Sequence, residues 1–182
     1  MKNPTTLYRG RYLSLMERDG WEYASRSNAT GVAVLVAVTD RDELVLVEQF
    51  RTPVNAHVIE LPAGLVGDLD DHSESVLDAA QRELMEETGY RAGHVEILMS
   101  CPSSAGMSDE IITFILARNL EKVGPGGGDN SEDIAVHLVP RAEVSKWIAA
   151  RQREGKPADP KIFSALYWLA ESAKSQETTQ HS

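Results

Sequence analysis

The sequence predicts an α/β protein, a mixed β-sheet sandwiched between α-helices with a small β extension at the N-terminus. Three observations carry that expectation. GVAVLVAVT (31–39) and ELVLVEQF (43–50) are dense in valine and leucine, as strands buried on both faces are. Apolar residues recur at helical spacing over 75–88, 141–152 and 160–173. Ahead of them, residues 1–28 alternate in the manner of strands around a tight-turn signal.

Taken in order, residues 5–17 and 20–27 are predicted as two strands joined by a turn at Asp19-Gly20. So small a hairpin must pack on another surface, its own domain's or a partner's. The runs 31–39 and 43–50, with the polar TDRD turn between them, are predicted as neighbouring core strands of one sheet. HVIELPAG (57–64) is a shorter strand stopped by proline and glycine, followed by an acidic loop over 65–74. Helix 75–88 has Ser75 as N-cap, with Asp78 three residues on. Leu77, Ala80, Leu84 and Thr88 form its stripe, and Gly89 its stop.

Strands are expected at about 94–101, 110–118 and 133–139, the last two separated by the glycine-rich GPGGGDNSE (124–132). In the closing helices Val144, Trp147, Ile148, Ile162, Leu166 and Leu169 are core residues. The chain then divides into an extension (1–28), a main domain (29–173) and a polar tail (174–182) expected to be disordered.

Composition narrows the function. Eighteen basic against twenty-eight acidic residues give a net charge of −10. That field repels nucleic acid and anionic membranes, so no nucleic-acid or membrane partner is expected. It also repels a free diphosphate, so phosphate chemistry here calls for bound cations. The single cysteine, Cys101, fits a reducing cytosol and is read as a small packed residue, not a nucleophile. MKNPTTLYRG lacks the apolar run of a signal peptide, and a cytoplasmic location is expected.

Chemistry concentrates in Arg82-Glu83-Leu84-Met85-Glu86-Glu87-Thr88-Gly89-Tyr90. Glu83 and Glu87, four apart, share one helical face, where two carboxylates alone repel. A solvated acidic surface would explain one such pair. These two instead flank the apolar stripe, which places them near the sheet edge. Hard oxygen donors converging there suit Mg²⁺ or Mn²⁺ bridging to phosphates. His57, His72, His94, His137 and His181 show no ligand spacing, which disfavours zinc.

Preceded by Glu74 and Gly64, this segment resembles the Nudix box, in which a glycine, five residues, a glutamate and seven residues lead to the Arg-Glu core. Glu74 to Arg82 keeps the seven-residue gap, whereas nine residues separate Gly64 from Glu74. With Leu61-Pro62-Ala63-Gly64 as the match, GDLDDHS carries a four-residue insertion. The resemblance implies the Nudix fold and a pyrophosphohydrolase in which divalent ions neutralise a diphosphate while water attacks one phosphorus. Glu83 and Glu87 take the places of metal ligands. In the ADP-ribose pyrophosphatase branch the backbone carbonyl of Ala63 adds another. Glu86 corresponds to a position that binds metal through water or pairs with Arg82. A catalytic base is expected from the downstream loop at Glu132, with Asp129 and Asp133 as fallbacks. The loop's glycines are not a P-loop, since no Lys-Ser/Thr follows, and are expected to let it close over substrate.

Outside the box, Gln49-Phe50-Arg51, the Glu60–Gly64 strand end and the N-terminal extension resemble ADP-ribose pyrophosphatases and related nucleoside diphosphate sugar hydrolases over about residues 5–172. In that branch Arg51 contacts the diphosphate. Trp21, with Arg26 beside it, stacks on the base across a homodimer interface, unless Trp21 serves plain packing of the hairpin. Ser103–Glu110 corresponds to a stretch that in the branch often borders the sugar or supports the metal ligands, but it departs from the usual Pro-Gly, and no role is assigned to single residues there. Two rival readings stand beside this one: a Nudix enzyme for nucleoside triphosphates or dinucleoside polyphosphates, and a non-catalytic nucleotide sensor, which would be expected to lose its metal glutamates.

Overall fold

The computed structural model describes residues 2–67, 74–128 and 133–179, the side chains of 173–179 excepted. The apolar run after Thr30 explains the layering. Strand β4 (Gly31–Ala37) points successive side chains to opposite faces. Ala33, Leu35 and Ala37 pack with Ala79, Ala80 and Leu84 of α1 (Val76–Thr88). Val34 and Val36 pack on the other side with Val144 and Ile148 of α2 (Val144–Arg153) and Ile162 and Leu169 of α3 (Lys161–Thr179). A strand covered by helices on both faces has no polar side, hence the unbroken hydrophobicity.

β4 belongs to a four-stranded mixed sheet of order β7-β4-β9-β8, built with β7 (Ala63–Val66), β8 (Tyr90–Pro102) and β9 (Ile111–Lys122). β4 runs parallel to β9, and the other pairs are antiparallel. β5 (Glu43–Arg51) lies elsewhere, between β6 (Ala56–Glu60) and β10 (Ile134–Pro140) in an antiparallel sheet. The expectation of one sheet with adjacent core strands is corrected here. The 39–42 turn, with Asp42 at φ 58°, carries the chain from one sheet to the other, and a single bridge, Val38–Leu44, links the two runs. Both runs are apolar because both are sandwiched, so their composition did not reveal that they part.

The segment 57–64 also divides. β6 pairs with β5 and β7 with β4. Proline cannot donate to a ladder, and at Leu61-Pro62 the chain crosses between sheets, the Pro62 carbonyl accepting from the Leu35 N–H at 2.8 Å. That crossing delivers Ala63 and Gly64 to the site.

At the N-terminus the expected strand 5–17 is two, β1 (Thr5–Arg9) and β2 (Leu13–Arg18), separated by a turn in which the Gly10 N–H donates to the Leu13 carbonyl. β3 (Trp21–Arg26) completes an antiparallel sheet through the predicted Asp19-Gly20 turn, both residues left-handed at φ 52° and 84°. Helix α3 continues to Thr179, past the expected end at 173, since no glycine or proline interrupts 161–179. Among the described residues, no helix is long and apolar enough to cross a membrane.

One buried charge ties the antiparallel sheet to the α2–α3 loop. Glu48 of β5, 8% exposed, accepts a hydrogen bond from Lys156 at 2.6 Å and lies 3.3 Å from His137 and 3.6 Å from His57. Burial alone would raise its carboxyl. The Lys156 hydrogen bond and charge, followed by His137, outweigh that and hold it below the ordinary range. A depressed carboxyl adds stability that is present above its unfolded value and lost as pH falls through its folded one. Lys156→Met should therefore cost about 1–3 kcal/mol near neutral pH in urea unfolding. The deficit should shrink as pH falls into and below the carboxylate range, and a deficit that does not depend on pH would contradict this account.

Candidate active site

Arg82 organises the site. Its guanidinium makes a two-pronged pair with Glu74, Nε to Oε1 at 2.9 Å and Nη2 to Oε2 at 3.2 Å. Nη1 donates to Glu83 Oε1 at 2.7 Å and Glu86 Oε2 at 3.2 Å, and Nη2 also reaches the Leu65 carbonyl at 3.2 Å. The Glu74 hydrogen bonds, aided by Glu83 and opposed by burial, push the guanidinium pKa further up. A side chain that never loses its proton thus clamps three carboxylates and the backbone of β7.

The helix bearing them is set as its sequence predicts. Ser75 caps the N-terminus, accepting from the Asp78 N–H at 3.2 Å, and Gly89 closes the C-terminus at φ 69°. Gly127 and Gly128 donate their N–H groups to the carbonyls of Glu87 and Glu86 at 2.8 and 3.1 Å, and Lys122 donates to that of Thr88 at 2.8 Å. The described part of the glycine-rich loop, 124–128, is therefore bound to the end of α1. A Cβ on Gly126 would stand 2.4 Å from the Thr88 carbonyl carbon, so close an approach that glycine is required.

Two contacts join α1 to the sheet crossing. The Glu83 carboxyl lies directly over Gly64, where a Cβ would stand 1.8 Å from Glu83 Cδ. Glu87, 3% exposed, accepts the Ala63 N–H at 3.1 Å. The paired carboxylates thus meet the backbone where Pro62 turns the chain between sheets.

Beside them opens a cleft of about 390 Å³. Ala63, Gly64, Leu65 and Glu83 form one part of its lining, joined by Arg51 and Glu60 and by Arg26, Ser103 and Glu110; Lys161 also reaches it. Arg51 pairs with Glu60, and Arg26 with Glu110, each at 2.6 Å. Burial would raise the Glu110 carboxyl, but the Arg26 and Ser103 hydrogen bonds hold it below the ordinary range. Arg26 arrives because β3 docks on the loop after β8. The Ala24 N–H donates to the Met107 carbonyl at 2.8 Å, Ser25 to Asp109 at 2.9 Å, and the Trp21 indole to the Gly106 carbonyl at 3.2 Å. The extension thus has a foothold in its own subunit.

The NUDIX domain model matches residues 29–165, three quarters of the chain. The chain belongs to the Nudix family. It is 32% identical over 152 residues to a methanol dehydrogenase activator of Bacillus methanolicus, covering 83% of this chain and 76% of that one. It is 37% identical over 123 residues to an ADP-ribose pyrophosphatase of Bacillus subtilis, covering 67% and 64%. To a GDP-mannose pyrophosphatase of Escherichia coli it is 34% identical over 135 residues, covering 69% and 68%. The crystal structure of an ADP compounds hydrolase shares the fold at TM-score 0.70 and 22% identity, covering 96% of this chain and 93% of that one.

Of the residues singled out in the sequence, this Nudix fold brings Arg26, Arg51, Ala63 and Glu83 to one cleft, with Glu87 behind Ala63. Glu86 is exposed on the Arg82 clamp. Trp21 is 64% exposed and does not line the cleft of its own subunit. Glu132 and Asp129, with residues 68–73 of the loop that carries the insertion, lie outside the described residues. Glu60, Ser103 and Glu110 stand in stretches that the resemblance covered without a role for any one of them, and Lys161 carried no signal; long-range packing brings all four to the cleft.

Among the described residues, no three His, Cys, Asp or Glu side chains form a ready metal cage. The donor set still fits a hard divalent cation that keeps part of its water shell: two carboxylates one turn apart and an adjacent backbone segment. The glycine at 64 is what makes room for Glu83. Gly64→Ala should displace that carboxyl and lower turnover by about two orders of magnitude, while the melting temperature moves little, since a flexible side chain can yield. Full activity in Gly64→Ala would contradict this reading.

Proposed function

We propose that this Nudix protein hydrolyses the pyrophosphate bond of nucleoside diphosphate sugars, with ADP-ribose as leading substrate and AMP and ribose 5-phosphate as its products. The observation that carries the proposal is the seating of Glu83 over Gly64 and of Glu87 on the Ala63 N–H, at the edge of a cleft that also holds Arg26 and Arg51. The pyrophosphatase names of relatives at 34–37% identity point the same way.

In this reading Glu83, Glu87 and the Ala63 carbonyl hold Mg²⁺, for which Mn²⁺ can substitute. When bound, the ion neutralises the diphosphate and stabilises charge on the phosphoryl oxygens. Glu86 supports the site by fixing Arg82. Arg51 and Arg26 exchange their carboxylate partners for phosphate oxygens, one charge-assisted bond for another. Glu132 is the proposed general base, with Asp129 and Asp133 as alternatives. Support comes from its described flanks: Gly128 is bonded to the Glu86 carbonyl and Ile134 to the Gly127 carbonyl, both at the end of α1 that carries the glutamates.

Residues 1–28 are proposed to build a homodimer around the Nudix domain of 29–173. Tyr8, Tyr12 and Leu13 are about half exposed or more on the β1–β3 sheet, a large apolar area for a surface facing water. Trp21, away from its own cleft, would then stack on the base of a substrate bound by the partner. The proposed setting is the cytoplasm, with neither nucleic acid nor membrane as partner.

A substrate panel in Mg²⁺ tests the function. ADP-ribose should yield AMP and ribose 5-phosphate, and Glu83→Gln should lower the rate by about two orders of magnitude or more. Glu132→Gln should lower it by about 10²–10⁴-fold, and near-full rate there would move the base elsewhere. Release of inorganic pyrophosphate from a nucleoside triphosphate, with no action on sugars, would overturn the substrate class. Sedimentation as a monomer at micromolar concentration would remove the shared site.

A further inference from the structure

The charge balance of the cleft singles out Lys161. Six ionisable side chains line it, Arg26, Arg51 and Lys161 against Glu60, Glu83 and Glu110. Arg26 and Arg51 are each matched by a carboxylate of the lining itself. Lys161 differs: its ammonium pairs with Asp159, which is not part of the lining. Once Glu83 is committed to a divalent cation, Lys161 is the surplus positive charge of the cleft.

Its placement is built into the backbone. The segment before α3 runs beside β6, the Ile59 N–H donating to the Pro157 carbonyl at 2.9 Å and the Asp159 N–H to the Ile59 carbonyl at 2.8 Å. β6 leads directly into Glu60 and Leu61 of the cleft, so this tie brings the first turn of α3 to its rim. Asp159 Oδ1 accepts the Lys161 N–H at 2.7 Å, so one residue both starts the helix and restrains its first side chain. Lys161 also adds to the field on Glu110, which places its charge near the Arg26 wall.

We infer that Lys161 is a third cationic contact to the substrate's diphosphate and sets affinity more than turnover. The inference rests on the pyrophosphohydrolase reading. Phosphoryl oxygens turned away from the metal carboxylates need donors from the remaining walls. An ammonium offers three without demanding a fixed plane, so it adapts to a diphosphate whose position is set elsewhere. Asp159 competes for the same ammonium and keeps it extended until a phosphate oxygen replaces it.

The test is kcat and KM for ADP-ribose in Mg²⁺ with four proteins: wild type, Lys161→Met, Lys161→Arg and Asp159→Asn. Lys161→Met should raise KM by about tenfold or more, with kcat held within about threefold. Lys161→Arg should recover most of that loss. Asp159→Asn keeps a capping oxygen but removes the competing charge, so its KM should stay at the wild-type value or fall. A KM rise in Asp159→Asn equal to that of Lys161→Met would assign the effect to a loosened α3 and overturn the inference. So would a Lys161→Met KM within about twofold of wild type in an active enzyme. A wild type inactive on every nucleoside diphosphate sugar would instead contradict the underlying reading, and the inference with it.

Discussion

The clamp made by Arg82 is the constraint on which the site depends. Glu74, Glu83 and Glu86 would repel one another on a bare surface. With one guanidinium between them the repulsion becomes geometry: Glu74 secures the entry to α1, Glu83 is turned over Gly64, and the Leu65 carbonyl ties the same group to β7. Surface ion pairs contribute little stability, and this network's value lies in orientation. A permanently charged, planar group with five donors can hold several acceptors at fixed angles, which a lysine could not do.

That clamp works because the backbone it grips is itself fixed. Leu61-Pro62 carries the chain from the β5–β6 sheet to the β4–β7 sheet, and both sheets are buried between helical layers. The cleft lies at this crossing, where two ladders end and neither fills the space. At the far end of α1, the glycines of 124–128 satisfy the carbonyls of Glu86 and Glu87. Both ends of the carboxylate-bearing helix are therefore anchored, which sets Glu83 on the wall of the cleft and Glu87 behind Ala63.

What the sequence made legible follows from range. Helix α1, its Ser75 cap, its Gly89 stop and the shared face of Glu83 and Glu87 depend on contacts within a few residues, and the structure repeats them. Arg51 and Arg26 came from the resemblance alone; both line the cleft of their own subunit, Arg26 without the Trp21 that the resemblance set beside it. Sheet membership was not legible. Strands 31–37 and 43–51 are both rich in buried apolar residues because both are covered on two faces, and nothing in their composition shows that Asp42 turns one away from the other. The glycine-rich loop was expected to close over substrate, whereas its described part caps α1, a role fixed by carbonyls some forty residues earlier. Lys161 escaped notice, and Glu110 was left without a role of its own, for the same reason, since the β3 docking and the β6 tie that place them are pairings between distant segments.

On this account the clamped carboxylates of α1 bind a divalent cation. Titration of the substrate-free protein with Mn²⁺, followed by the loss of free-ion paramagnetic signal, tests it without reference to any substrate. Wild type should bind Mn²⁺ saturably, and Glu83→Gln should weaken that binding by about 10–100-fold. Equal Mn²⁺ affinity in the two proteins would contradict the account.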